Sequence, residues 1–123
     1  MIEITNCLHV AIVVRDLQRA IEFYTNVLGL QQVDRQFKYP GAWYQIGDFQ
    51  IHLIEDTNYQ SPANIDLDVS TRNPHIALGI KDLNATKQQL LAANCRVKMS
   101  NSGRAAMFTQ DPDGNVLELT QII

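Results

Sequence analysis

Three scarcities bound what this chain of 123 residues can be. Long apolar runs are missing: HVAIVV (9–14) is typical of what there is, far below the roughly 18 residues that a bilayer-crossing helix needs. Basic charge is also short, with 10 Lys and Arg against 13 Asp and Glu and a pI near 5.5. No basic stripe can be assembled from so few cations, so a nucleic-acid surface is not expected. Cysteine is limited to Cys7 and Cys95, in apolar segments and without CxxC spacing. Two buried free thiols in a cytoplasmic protein are expected rather than a disulfide. No charged-then-apolar leader opens the sequence, so no secretory signal is expected. The length suits one compact domain, and 46% apolar residues is ordinary for a globular chain.

What the sequence does contain is a repeat. LHVAIVVRDLQRAIEFYTNVLGL (8–30) aligns with PHIALGIKDLNATKQQLLAANCR (74–96) at an offset of 66, pairing His9 with His75, Ala11 with Ala77 and Asp16 with Asp82. The same offset carries QIHLIE (50–55) onto VLELTQ (116–121), so that His52 meets Glu118. One shift, with no gap, serves both separated segments, which identifies two copies of one supersecondary unit. In each copy a β-branched strand (7–14, 74–80) is followed by Asp16 or Asp82 as helix N-cap. Leu17, Ala20, Ile21, Tyr24, Val27 and Leu28 form one helical stripe, and Leu83, Thr86, Leu90 and Ala93 the other. Gly29 and Asn94 suit the left-handed helix stop. Strands are expected near 31–37, 41–47 and 49–55, and near 95–99, 105–110 and 115–121, the last two joined by the turn sequence DPDG (111–114). Each half is thus β-α-β-β-β. Module one spans about 1–56 and module two about 74–123, and the polar stretch between them, about 57–73, is expected to be a linker with a mobile tip.

Strand parity assigns the faces. Leu8, Val10, Ile12 and Val14 share one face and His9, Ala11 and Val13 the other; Ile76, Leu78 and Ile80 oppose His75, Ala77 and Gly79. In the last strands Ile51 and Leu53 oppose His52, and Leu117 and Leu119 oppose Glu118. All three histidines of the chain, with one carboxylate, therefore fall on the repeat grid, on faces turned away from the apolar bulk. Three imidazoles and a carboxylate are suitable donors for Zn, Ni, Co, Mn or Fe(II). The competing role for any single one is packing, although a carboxylate on an inner strand needs a partner. Trp43 shares a face with Gln45, opposite Ala42 and Tyr44. Trp43 and Tyr44, in FKYPGAWYQIG (37–47), and Arg104 are candidate substrate contacts, Arg104 for an anionic group; core or subunit packing competes for Trp43 and plain solvation for Arg104. Met107 is assigned to packing.

The segments LHVAIVVRDLQRAIEFYTNVLGL, PHIALGIKDL and FTQDPDGNVLEL give the chain a resemblance to the vicinal oxygen chelate superfamily, which includes glyoxalase I, extradiol dioxygenases, methylmalonyl-CoA epimerase and the fosfomycin and bleomycin resistance proteins. The resemblance covers nearly the whole chain. It implies an α+β fold of two tandem βαβββ modules forming a cupped eight-stranded mixed sheet, frequently dimeric, with a divalent metal held by His9, His52, His75 and Glu118. A single such domain, 1–123, is expected, in a cytoplasmic homodimer acting on a small molecule, with neither nucleic acid nor membrane as partner.

The same resemblance does not fix the chemistry, because the superfamily shares a site rather than a reaction. Glyoxalase I carries Glu or Gln where His52 stands, which leaves Glu118 as the one carboxylate on the grid able to act as a base. The extradiol dioxygenases use two His and one Glu, which His9, His75 and Glu118 supply, with His52 then free as an acid–base group. NSGRAA (101–106) is a poor match to the potassium loop of fosfomycin-type enzymes, and the presence of all four donors argues against bleomycin-type sequestration. The expected activity is metal-assisted catalysis of the glyoxalase/dioxygenase type on a small oxygen-rich substrate, as lyase or isomerase, with Glu118 and His52 as catalytic candidates. The alternatives are an Fe(II) extradiol dioxygenase and a non-catalytic small-molecule binding protein.

Overall fold

The computed structural model describes residues 1–35, 38–60 and 72–122. Phe37 and most of the expected linker, 61–71, lie outside the described residues, as does Ile123. The chain divides into two units, Met1–Tyr59 and Gln60–Ile123. Each carries a four-stranded mixed sheet and one helical segment, so the α+β fold of two tandem βαβββ modules is the observed architecture. Among the described residues no helix is long and apolar enough to cross a membrane.

In the first unit β1 (His9–Val14) leads through α1 (Leu17–Ile21), which continues as a π-helical segment (Glu22–Val27), to β2 (Gln31–Val33), β3 (Gly41–Ile46) and β4 (Phe49–Glu55). The sheet order is β1-β4-β3-β2, with β1 and β4 parallel and the other pairs antiparallel. The second unit repeats this plan with β5 (His75–Ile80), α2 (Leu83–Ala92), β6 (Lys98–Met99), β7 (Ala106–Gln110) and β8 (Val116–Gln121), ordered β5-β8-β7-β6. The equivalence extends to the helix starts. Asp16 Oδ1 accepts from Arg19 N–H and Asp82 Oδ1 from Ala85 N–H. Glu55 Oε2 then accepts from Leu17 N–H and Gln121 Oε1 from Leu83 N–H, each at 2.8 Å. Both orphan-donor ends are thus satisfied in the same way in both modules.

The first core lies under α1. Tyr44 pairs with Ile51 and Ala42 with Leu53 across β3 and β4, and all four are fully buried. The π turn follows from the aromatic pair Phe23–Tyr24, both buried and packed edge to face at 5.1 Å. An α-helix turns successive side chains by about 100°, which makes it hard to send both inward; a wider turn, closed by Leu28 N–H to Phe23 O, does so. In the second unit Met107, Leu117 and Leu119 fill the corresponding place.

The wide turn also alters the repeat. An offset of 66 relates β1–β4 to β5–β8: Ala11 is partnered by His52, and Ala77 by Glu118. For β3 and β7 it does not hold, since His52 faces Trp43 but Glu118 faces Phe108, 65 residues later. The gap-free alignment is therefore corrected to one with two compensating single-residue gaps. The first helix spends one more residue before its left-handed stop, Gly29 (φ 71), than the second does before Asn94 (φ 61). The 111–115 turn takes that residue back, being one longer between paired positions than the Gly47–Asp48 turn.

Several expected boundaries shift. β2 stops at Val33 rather than 37, and β6 begins at Lys98 rather than 95 because Cys95 N–H returns to Leu90 O and closes α2. Ala93 is exposed at the helix end, not inward. Both thiols are free, but neither is fully buried: Cys7 is exposed because it precedes β1 in an uncovered segment, and Cys95, at the end of α2, is half-buried. Met107 is fully buried, as its packing role requires. Leu53→Ala, which removes a fully buried side chain under α1, is expected to cost about 2–5 kcal/mol in urea-unfolding stability.

Candidate functional site

The parallel pairing of first and last strands sets the candidate side chains on the sheet face away from each helix. In the first unit that face carries the cross-strand row Ala11–His52–Trp43. The small Ala11 leaves the space into which His9, one step diagonal, lays its ring. His52 is the middle of three stacked rings: His9 lies 4.0 Å away at 13°, and Trp43 4.1 Å away at 8°. His52 Nε2 meets Gln50 Oε1 at 2.8 Å. Burial between two rings lowers the His52 pKa from its ordinary 6.5, and the charges of His9 and Arg35 lower it further. His52 is accordingly a neutral imidazole at neutral pH, the form that offers a lone pair. The sign for stability follows. Below about 6.5 the unfolded chain takes up this proton more readily than the folded one, so His52 subtracts from stability as pH falls through that range.

The second unit carries the row Ala77–Glu118–Phe108. His75 sits edge-on to Phe108 at 5.7 Å and 84°. Its Nδ1 lies 2.7 Å from Asn73 O; a carbonyl only accepts, so Nδ1 carries the proton. Nε2 faces Glu118 Oε1 at 3.4 Å, an ion-pair contact when His75 is protonated. Glu118 is buried, and its other oxygen is occupied: Thr120 Oγ1–H donates to Oε2 at 2.6 Å, and Arg104 Nη1 stands 3.5 Å from it. The Thr120 hydrogen bond is the main reason the Glu118 pKa lies below 4.5; burial opposes it, and Arg104 and His75 add to the lowering. Glu118 thus supplies stability above about 4.5 that is lost as pH falls through its depressed midpoint.

The structure brings His9 to His52 and His75 to Glu118, so the candidate donors come as two pairs, one in each unit. Among the described residues no group of three or more His, Cys, Asp and Glu side chains capable of holding a metal ion is assembled. Trp43 joins the first pair and Arg104, held by Ser102 Oγ at 3.0 Å, joins the second. Tyr44 stands apart from them. It is fully buried on the helix side of β3, its hydroxyl 2.8 Å from Thr25 Oγ1, and burial raises its pKa above 10. Sequence reasoning passed over Gln50, Gln45, Thr120 and Phe108. The two-residue Gly47–Asp48 turn fixes Gln45 opposite Gln50, and Thr120 lies two residues from Glu118 on the same face, so two of these contacts had a signal.

A family model described as Glyoxalase/Bleomycin resistance protein/Dioxygenase superfamily matches residues 7–119. "Probable lactoylglutathione lyase" of Vibrio parahaemolyticus is 30% identical over 93% of this chain and 88% of its own length. Lactoylglutathione lyase of Haemophilus influenzae is 28% identical over 93% of this chain and 90% of its own. The crystal structure of a candidate glyoxalase family protein from Bacillus anthracis superposes with a TM-score of 0.80, covering 100% of this chain and 99% of that one, at 19% identity, a likeness of fold.

Two measurements check the electrostatics. In metal-free protein the NMR titration midpoint of His52 is expected below 6.5, and Trp43→Ala, which uncovers one ring face, is expected to move it upward. Thr120→Val, which removes the hydroxyl donor, is expected to raise the Glu118 midpoint in carboxyl-carbon NMR.

Proposed function

Because the chain belongs to the Glyoxalase/Bleomycin resistance protein/Dioxygenase superfamily, we propose that it is a metal-dependent enzyme acting on a small oxygen-rich molecule, as a glyoxalase-like lyase or isomerase. The relatives named lactoylglutathione lyase support that reaction class. The donor chemistry fits a divalent cation of the Zn, Ni, Co, Mn or Fe(II) kind, with His9, His52, His75 and Glu118 as the residues that would hold it. The single observation that carries the proposal is the His75–Glu118 pair, an imidazole nitrogen and a carboxylate oxygen brought to 3.4 Å on one sheet face.

When bound, the ion supplies electrophilic polarisation of a carbonyl or enediolate oxygen. The remaining work falls to the chain. Thr120 and Arg104 keep Glu118 ionised, so its carboxylate is ready as a donor and as a base for a substrate proton. Arg104, half exposed, is placed to meet an anionic group of the substrate. Trp43 gives an apolar wall beside His52. Tyr44 contributes by tying β3 to the helix through Thr25. The protein is read as a cytoplasmic homodimer, one vicinal oxygen chelate domain per chain. A second reading, an Fe(II) extradiol dioxygenase using His9, His75 and Glu118, requires catechol-dependent oxygen uptake at an oxygen electrode.

Elemental analysis of the purified protein tests the metal. His9→Ala, His52→Ala, His75→Ala and Glu118→Ala are each expected to lower the bound metal. Stoichiometric metal in all four variants excludes the proposal.

A further inference from the structure

The first unit contains a chain of hydrogen bonds whose direction is fixed at one end. Gln45 Nε2 lies 2.6 Å from Gly47 O and 3.5 Å from Phe49 O, both pure acceptors. The amide nitrogen of Gln45 is thereby assigned, and its Oε1 must face the other way. There it accepts from Gln50 Nε2 at 2.6 Å. Gln50 is assigned in turn, and its Oε1 is left for His52 Nε2 at 2.8 Å. An amide oxygen only accepts, so Nε2 of the neutral imidazole carries the proton. The register that pairs Gln45 with Gln50 and Trp43 with His52 makes these contacts a property of the β3–β4 hairpin rather than of chance rotamers. Stacking completes the restraint, because rotation of the His52 ring about its Cβ–Cγ bond must pass between His9 at 4.0 Å and Trp43 at 4.1 Å.

Resting on the proposed metal-dependent function, we propose that Gln50, aligned by Gln45, is a positioning residue that holds His52 in its Nε2–H tautomer. His52 then meets a cation or a substrate proton through Nδ1 alone. In the second unit it is instead the Nδ1 proton of His75 that is taken, by Asn73 O. The two rings are held through opposite nitrogens, His52 by the side-chain amide and His75 by the backbone carbonyl of the residue two places before it. At the position equivalent to Gln50 the second module has Val116, which cannot accept a proton, and Glu118 there needs none. A ligand histidine ordinarily gives its far N–H to an acceptor that fixes the ring and raises its basicity; Gln50 fills that place for His52.

Long-range proton–nitrogen NMR of the metal-free, full-length protein at pH 8 tests this. His52 is expected to show a protonated Nε2 and an unprotonated Nδ1. The opposite assignment overturns the proposal. Q50M removes the acceptor and is expected to abolish the slowly exchanging Nε2 proton; a signal that persists overturns it. Q45K presents only donors to Gln50 and is expected to turn that amide over and move the proton to Nδ1. An unchanged tautomer in a Q45K protein whose backbone amide spectrum is native-like overturns the relay. Zn(II) is then added to the wild-type protein. A retained Nε2 proton with a shifted Nδ1 resonance supports coordination through Nδ1, and loss of the Nε2 proton on binding overturns it. Zn(II) that binds to a protein with the opposite tautomer removes the relay and leaves the proposed function. The expected tautomer with no Zn(II) bound removes the proposed function and leaves the relay.

Discussion

The parallel pairing of the first and last strands of each module is the constraint from which the rest follows. It sets Ala11 beside His52 and Ala77 beside Glu118. Because side chains alternate, the same pairing drives Ile51, Leu53, Leu117 and Leu119 into the helix-side cores. A polar donor on such a strand is held by a backbone that cannot slip, since a one-residue shift would put the whole apolar set on the wrong face. The candidate donors are therefore positioned by the cores, and the small residues Ala11 and Ala77 lie beside His52 and Glu118.

Most of this plan was legible in the chain. Asp16 and Asp82 cap as their spacing implied, Gly29 and Asn94 stop the helices in the left-handed conformation, and parity separated Trp43 from Tyr44. What escaped was set by packing. The π turn exists because two adjacent aromatics both go inward, a demand visible only once the sheet beneath them is known. The short β6 reflects a helix closure by Cys95, and the exposure of Cys7 reflects where β1 begins. The direction of the amide chain to His52 depends on where Gly47 O points, which composition and periodicity do not encode.

The two modules show how one scaffold makes unlike surroundings for equivalent positions. Position 52 is an imidazole between two rings with a neutral amide partner, and burial favours its uncharged form. Position 118 is a carboxylate with a hydroxyl donor and a guanidinium, and these favour its charged form despite burial. Both outcomes suit a ligand, which must give up its proton, and each is reached by substitution at two or three neighbouring strand positions with no change of backbone plan.

The paired single-residue gaps carry a consequence for anyone building from this scaffold. A symmetrised protein made by copying one half at a uniform spacing would set Trp43 against Thr109 instead of Phe108, turning an aromatic wall into the interior. The extra helical residue and the longer hairpin must travel as a linked pair: grafting either one alone would rotate β2 and β3, or β6 and β7, by half a pleat and exchange their inner and outer faces.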